Sequence, residues 1–226
     1  MNAMRNASDV TLTSIPHLIE LRFQFAFVNV KTLRVKNASM LQCIEVVWKR
    51  KMEETKRERR ENGIVLNADD LENLPAHVKS ITVNACEDYK KKVLDLSRFT
   101  ELEELTIGDG CFNYVSQVSV VGLAKLKSIT VGEGAFQCDQ SDAALVVKNC
   151  PLLCEVRVGN ESFKAFKEVE LVELGSLKTI TLGCGCFREV DLVLKDMKSL
   201  ESVELGDLCF EKSRHTVIES LSLKKG

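Results

Sequence analysis

The sequence predicts a β-rich solenoid of about eight stacked coils of 23–27 residues, with a parallel β-sheet and short irregular or 3₁₀ connections. Three observations predict it. A spacing of six apolar positions recurs along the 226 residues. A column of glycines follows directly after that spacing, and a column of phenylalanines lies four residues beyond the glycines.

The apolar positions advance in steps of 2, 3, 3, 3 and 2 residues, as in Val118, Val120, Leu123, Leu126, Ile129 and Val131. Copies begin at Val10, Leu33, Leu94, Val118, Leu145, Val169 and Leu192. All 42 positions are apolar, against about 19 expected from an apolar content of 45%. A step of 2 is the alternation of a strand, so each copy carries two short strands. The 3-3-3 stretch between them turns about once per three residues, the period of a 3₁₀-like connection. One such unit cannot bury its own apolar face, whereas stacked units bury one another.

The copies start 23, 61, 24, 27, 24 and 23 residues apart. The long gap holds one further copy and a charged insertion over residues 49–62, KRKMEETKRERREN. That copy is degenerate. Val78, Ile81 and Val83 fit, but Asp70 and Glu72 stand at apolar positions, so either the frame slips or the coil is irregular. The insertion carries seven basic and four acidic residues and is expected to protrude as a solvated helix or a flexible loop. Glu53 and Arg57 form a favourable i,i+4 pair, and Asn62-Gly63 is a helix stop.

Gly108, Gly132, Gly159, Gly183 and Gly206 each follow a second strand, which suggests a backbone position with φ > 0. Phe112, Phe136, Phe163, Phe187 and Phe210 are expected to stack as an internal spine. The residue before each is Cys111, Ala135, Ser162, Cys186 or Cys209, all small enough for a crowded column.

At these residues the chain resembles a leucine-rich repeat protein. Leu102-Glu-Glu-Leu105-Thr-Ile107-Gly-Asp-Gly110-Cys-Phe112 reads LxxLxLxxGxF, close to that family's LxxLxLxxNxL with Gly110 in place of asparagine. The run Ile129-Thr-Val-Gly-Glu-Gly-Ala-Phe136-Gln-Cys138 is similar to the "IxIGxxAFxxC" of the BspA-like, or Treponema-type, class. The resemblance implies a binding surface, commonly for a protein partner. BspA-like members include microbial and parasite surface proteins that adhere to host molecules.

Composition narrows the function classes. With 31 basic and 33 acidic residues the net charge is −2, so no general grip on nucleic acid or an anionic membrane is expected. No apolar run reaches a membrane span, and the start MNAMRNASDV lacks a signal-peptide core, which points to the cytoplasm. Nine irregularly spaced cysteines read as reduced, buried small groups. No CxxC pair occurs and the three histidines lie apart, so neither a metal site nor a cofactor is expected. GxSxG, P-loop and GxGxxG motifs are absent, and the expectation is a non-enzyme. Asn6, Asn37 and Asn160 stand in N-x-Ser sequons, which matter only along a secretory route.

Function in a solenoid belongs to the outward residues of its strands. The middle outward position of the second strand reads Arg22, Glu45, Thr82, Thr106, Thr130, Arg157, Thr181 and Glu204. On the first strand it includes Arg34 and Glu170. A threonine ladder needs no function beyond β-propensity and cross-strand packing. Arg34, Arg157, Glu170 and Glu204 are the candidate partner contacts on this mixed-charge face. Trp48, the sole tryptophan, either caps the coil beneath it or serves as an exposed anchor.

The stretch Leu221-Ser-Leu223 starts a new copy, so the chain is expected to stop within a further repeat, with end-to-end self-association through the last strand as a consequence. The expectation is a single solenoid over residues 1–226, a non-catalytic scaffold for an unidentified protein partner. The alternative is an exported BspA-like adhesion or surface-recognition module whose leader lies outside this chain.

Overall fold

The computed structural model describes residues 9–13, 32–36, 54, 56–65, 71–84, 92–195, 197–213 and 216–219. The chain forms two compact units, Met1–Glu58 and Arg59–Gly226. In the first, strand β1 (Asp9–Thr13) pairs in parallel with β2 (Thr32–Lys36). Val10 lies opposite Leu33, the register set by the start of two successive copies.

The second unit is a β-solenoid. It opens with β3 (Ile64–Val65) and β4 (Ser80–Val83). Strand pairs then follow as β5 (Val93–Asp95) and β6 (Glu104–Ile107), and β7 (Gln117–Val121) and β8 (Ser128–Val131). Next come β9 (Ala144–Lys148) and β10 (Glu155–Val158), and β11 (Glu168–Val172) and β12 (Thr179–Leu182). The last are β13 (Leu192–Lys195), β14 (Ser202–Leu205) and β15 (Thr216–Glu219). Second strands stack as a parallel sheet in the order β14-β12-β10-β8-β6-β4-β3. First strands stack as β11-β9-β7-β5, with β13 paired to β15.

Every pairing keeps the apolar frame in register: Leu105, Ile129, Val156, Ile180 and Val203 fall in one row. Five complete two-strand coils are described, from β5–β6 to β13–β14, rather than eight. Among the described residues, the degenerate copy contributes its second strand, β4, and the first two copies contribute β1 and β2.

The degenerate copy resolves as a frame slip. Leu71 and Leu74 are buried with Val78, so the core positions step by 3 and 4 around a short helical turn at residues 71–72. Glu72 is exposed, and Asp70 lies outside the described residues. The charged insertion is helical at residues 56–61 and stops at Asn62-Gly63. Gly63 has φ +68° and its amide donates to the Arg60 carbonyl at 3.1 Å. A Cβ on Gly63 would lie 1.7 Å from the Ser80 carbonyl oxygen, so only glycine fits.

The 3-3-3 stretch closes on i→i−3 hydrogen bonds, as a 3₁₀-like turn does. The amides of Leu102, Leu126, Leu153, Leu177 and Leu200 donate to Phe99, Leu123, Cys150, Leu174 and Met197 at 3.0–3.2 Å. The core between the two sheets leaves a narrow apolar cavity of about 50 Å³, bordered along its length by residues from Leu94 to Phe210.

The phenylalanine spine stacks as expected. Rings of Phe112, Phe136, Phe163, Phe187 and Phe210 follow one another at centroid separations of 5.4, 4.5, 5.0 and 6.0 Å. The glycine column differs from expectation, because its members do not have positive φ. Left-handed backbone falls two and four residues later, at Gly110, Gly134, Glu161, Gly185 and Leu208, and at the five phenylalanines themselves. The glycines are required by close approach instead. A Cβ on Gly159 would lie 2.6–2.8 Å from Gly132 and Glu133 backbone atoms, and one on Gly108 lies 2.8 Å from the Val83 carbonyl oxygen. The coils touch backbone to backbone there, and the glycine amides donate to the coil before at 2.7–2.8 Å.

Candidate functional site

The two sheets present different outward faces. On the second-strand sheet, Thr82, Thr106, Thr130, Arg157, Thr181 and Glu204 fall in one register row. Neighbouring strands lie about 4.8 Å apart, so the row is a regular rank of hydroxyls broken by two charges. Arg157 and Glu204 are exposed and sit two strands apart. The Arg157 guanidinium is held by Glu155 of its own strand at 2.6 Å, so its charge is already partly compensated.

Glu170 lies on β11, in the other sheet, opposite Val146. It is half-buried, as are the outward Val146 opposite it and Val172 on its own strand. Arg34 is on β2 of the first unit, opposite Thr11. Trp48 and the pair Arg22 and Glu45 lie outside the described residues. The structure thus brings Arg157 and Glu204 onto one face and places Glu170 on another.

A row that sequence reasoning passed over runs along the entry to the second strands: Lys79, Glu103, Lys127, Cys154, Lys178 and Glu201. Glu103 receives Lys127 at 2.6 Å and Lys79 at 3.6 Å, and Lys178 approaches Glu201 at 3.6 Å. The hydrogen bond from Lys127 lowers the Glu103 carboxyl below its ordinary range, and Glu103 in turn raises Lys127. The lysines are exposed and Glu103 is half-buried, so each pair adds little stability but fixes the charge pattern of the edge. The signal was present in the sequence as the position just before the second strand of each copy.

The small residues ahead of the phenylalanines do more than fit. Ser162 Oγ donates to the Gly132 carbonyl at 2.7 Å and accepts the Ala135 amide at 3.0 Å. Cys186 Sγ donates to Gly159 at 3.1 Å, and Cys209 Sγ to Gly183 at 3.0 Å. Each ties its coil to the glycine carbonyl of the coil before. Burial pushes the Cys186 thiol up to about 12 and raises Cys209 as well, so these thiols are donors rather than nucleophiles. Asx side chains fasten the same corner: Asp109 Oδ1 accepts the Glu133 amide at 2.8 Å, and Asn160 Oδ1 the Cys184 amide at 2.9 Å.

Two shallow surface clefts lie along the phenylalanine corner. One of about 550 Å³ is bordered by Lys167, Glu189 and Lys212. Both lysines bond Glu189, Lys212 at 2.7 Å, and hold its carboxyl down at about 2, a fixed anion rather than a proton donor. The other, of about 510 Å³, is bordered by Lys92, Asn113, Tyr114 and Gln137. Asn113 there is engaged in the turn through Gly110 and Gln137. Among the described residues no group of three or more His, Cys, Asp or Glu is placed to hold a metal ion, and no helix is long and apolar enough to cross a membrane. In comparisons with known proteins, no family model, curated protein or solved structure matches this chain.

Proposed function

We propose that this chain is a leucine-rich repeat protein of the BspA-like kind, acting as a non-catalytic scaffold that presents its outward second-strand face to a protein partner. The observation that carries the reading is the single row from Thr82 to Glu204, held in register by six stacked strands. Such a face offers hydroxyls and charges at fixed intervals and no convergent cleft, which suits recognition of a surface more than chemistry on a small molecule. Arg157 and Glu204 are its charged contacts. Arg157 can exchange Glu155 for a partner carboxylate at small cost, because an exposed ion pair is weak.

The thiols support a reducing compartment. Cys186 and Cys209 serve as hydrogen-bond donors, which requires the reduced form. The cytoplasm is the compartment we assign.

A photo-crosslinking residue placed at Thr130 or Thr181 of the whole chain, in its own cell, tests the reading. Expected are protein adducts from both positions that weaken with Arg157→Glu and are absent from a crosslinker at Lys125. Equal adducts from all three positions would sink it. Intact mass after alkylation tests the compartment: nine alkylated thiols without glycan are expected, and paired cysteines or glycan on Asn160 would move the protein outside the cell.

A further inference from the structure

We propose that the cleft at Tyr114 is a binding site for a neutral saccharide, with the tyrosine ring as its platform and a loop inserted into one coil as its polar wall. The site lies inside the stack, where the chain enters β5, β7 and β9. Seven residues, 137–143, lie between Phe136 and β9, against four at the same place before β7, β11 and β13. An insertion into a single repeat is where a solenoid can place recognition without disturbing its core. Cys138 and Ala143 are buried at the two ends of the loop, and Gln137, Asp139 and Gln140 are exposed. The Ala143 amide donates to the Gln140 carbonyl at 3.1 Å, and the Gln117 side chain donates to the Asp142 carbonyl, so the wall is held in place.

Tyr114 borders the same cleft of about 510 Å³. Two residues after the phenylalanine the later coils carry Ala165, Glu189 and Lys212, so the repeat itself asks for no aromatic there. Among the described residues Tyr114 is the one exposed aromatic side chain, at 50%. A tyrosine face carries negative charge density and attracts the weakly positive C–H groups of a sugar ring. The amides of Gln137 and Gln140 each offer donors and an acceptor, and the Asp139 carboxylate offers acceptors, which matches hydroxyls that both donate and accept. Gln140 Nε2 donates to Asp139 at 3.4 Å, a long bond that a sugar hydroxyl can displace. Lys92 and Asp139 are the charged groups bordering the cleft, one of each sign, which favours a neutral ligand over a phosphate. The volume suits a small ligand. The site is formed by loops, apart from the strand row of Thr130 and Arg157, so it can fail without the partner face failing.

The test is saturation-transfer NMR on the whole 226-residue chain with maltose, cellobiose or lactose at up to about 10 mM, the range of a small open site. Separate samples hold a peptide carrying a neutral glycan and adenosine monophosphate. Transfer to the ring C–H protons of at least one disaccharide, or of the glycan, is expected, and the stronger of the two names a free or a carried sugar as the source. Tyr114→Ala should weaken binding about tenfold, the upper range of an aromatic contact, and Tyr114→Phe should keep most of it. Gln137→Ala should weaken it less, by the loss of one hydrogen bond, and Arg157→Glu should leave it unchanged. These side chains are exposed, and the melting temperature of each variant shows whether the fold is kept. Transfer to none of the sugars overturns the proposal. So does transfer that survives Tyr114→Ala in folded protein, or transfer to adenosine monophosphate alone.

Discussion

The two corners of each coil lean on their neighbours to different degrees. The corner before the second strand is mostly self-contained: it turns on i→i−3 bonds such as Leu153 to Cys150, with single bonds to the next coil such as the Gly122 amide to the Lys148 carbonyl. The corner after it closes on its neighbours. The amides of Gly134 and Glu161 donate forward to Asn160 and Cys184, and those of Phe136 and Phe163 donate back to Cys111 and Ala135. The mostly self-contained corner needs apolar residues at the correct step and one residue in left-handed backbone, Gly122, Asn149 or Glu173 in three coils. A shared corner needs glycine where backbones touch, a small donor beside it, and a phenylalanine tolerant of left-handed backbone. The contrast teaches that in a solenoid the strictest residue requirements come from the coil next door.

Paired glycine substitutions are the sharpest way to break that contrast. Gly159→Ala drives a methyl into Gly132 and Glu133 backbone, which cannot rotate away. It should cost at least about 3 kcal/mol, the upper part of the overpacking range. Gly175, in the self-contained corner, has nothing within 4 Å of its ideal Cβ and no positive φ. Gly175→Ala should be neutral or stabilise by up to about 1 kcal/mol through the unfolded chain. Urea midpoints of the two variants decide it, and equal midpoints would end the distinction.

Phe136→Ala should cost about 3–5 kcal/mol, because the ring is buried between Phe112 and Phe163. Ser162→Ala should cost about 1–3 kcal/mol, since it leaves the Ala135 amide and the Gly132 carbonyl each without this partner. Ser162→Cys, which copies Cys186, should recover much of that loss in the same denaturation assay.

Leu208 sharpens the contrast from the other side. It stands at φ +63° where Gly110, Gly134 and Gly185 stand in other coils, and its side chain is exposed. Leu208→Gly should stabilise by about 1 kcal/mol, the strain of a left-handed non-glycine residue. A lower midpoint would show that the side chain does work at this end.

The smallest effect is in acid. Glu189 has its carboxyl lowered from 4.5 to about 2 by Lys167 and Lys212. A depressed folded value means that its contribution is present above about 4.5 and is lost as pH falls toward 2. Melting temperatures at pH 5 and pH 3 should therefore fall further for the wild type than for Glu189→Gln.

Much of the fold was legible because a solenoid repeats its requirements. The apolar frame placed both strands and the 3₁₀-like corner, and the phenylalanine column placed the spine. The candidate face was legible only as a row of letters. That Arg157 is compensated by Glu155, and that Glu170 stands in the other sheet, required the positions of both sheets. The Lys79–Glu103–Lys127 row was hidden because each member is an ordinary surface charge in its own copy.

By itself the sequence determined the coil: its length, its inward residues, its corner types and the end of the charged helix at Asn62-Gly63. These follow from steps along one chain, where periodicity and turn chemistry act locally. Tertiary structure alone decided that the glycines meet neighbouring backbone, that left-handed geometry falls at Gly110 and Phe112, and that Cys186 reaches the Gly159 carbonyl. Those features depend on the distance between residues 23 to 27 apart in sequence, and that distance exists only once the coils have stacked.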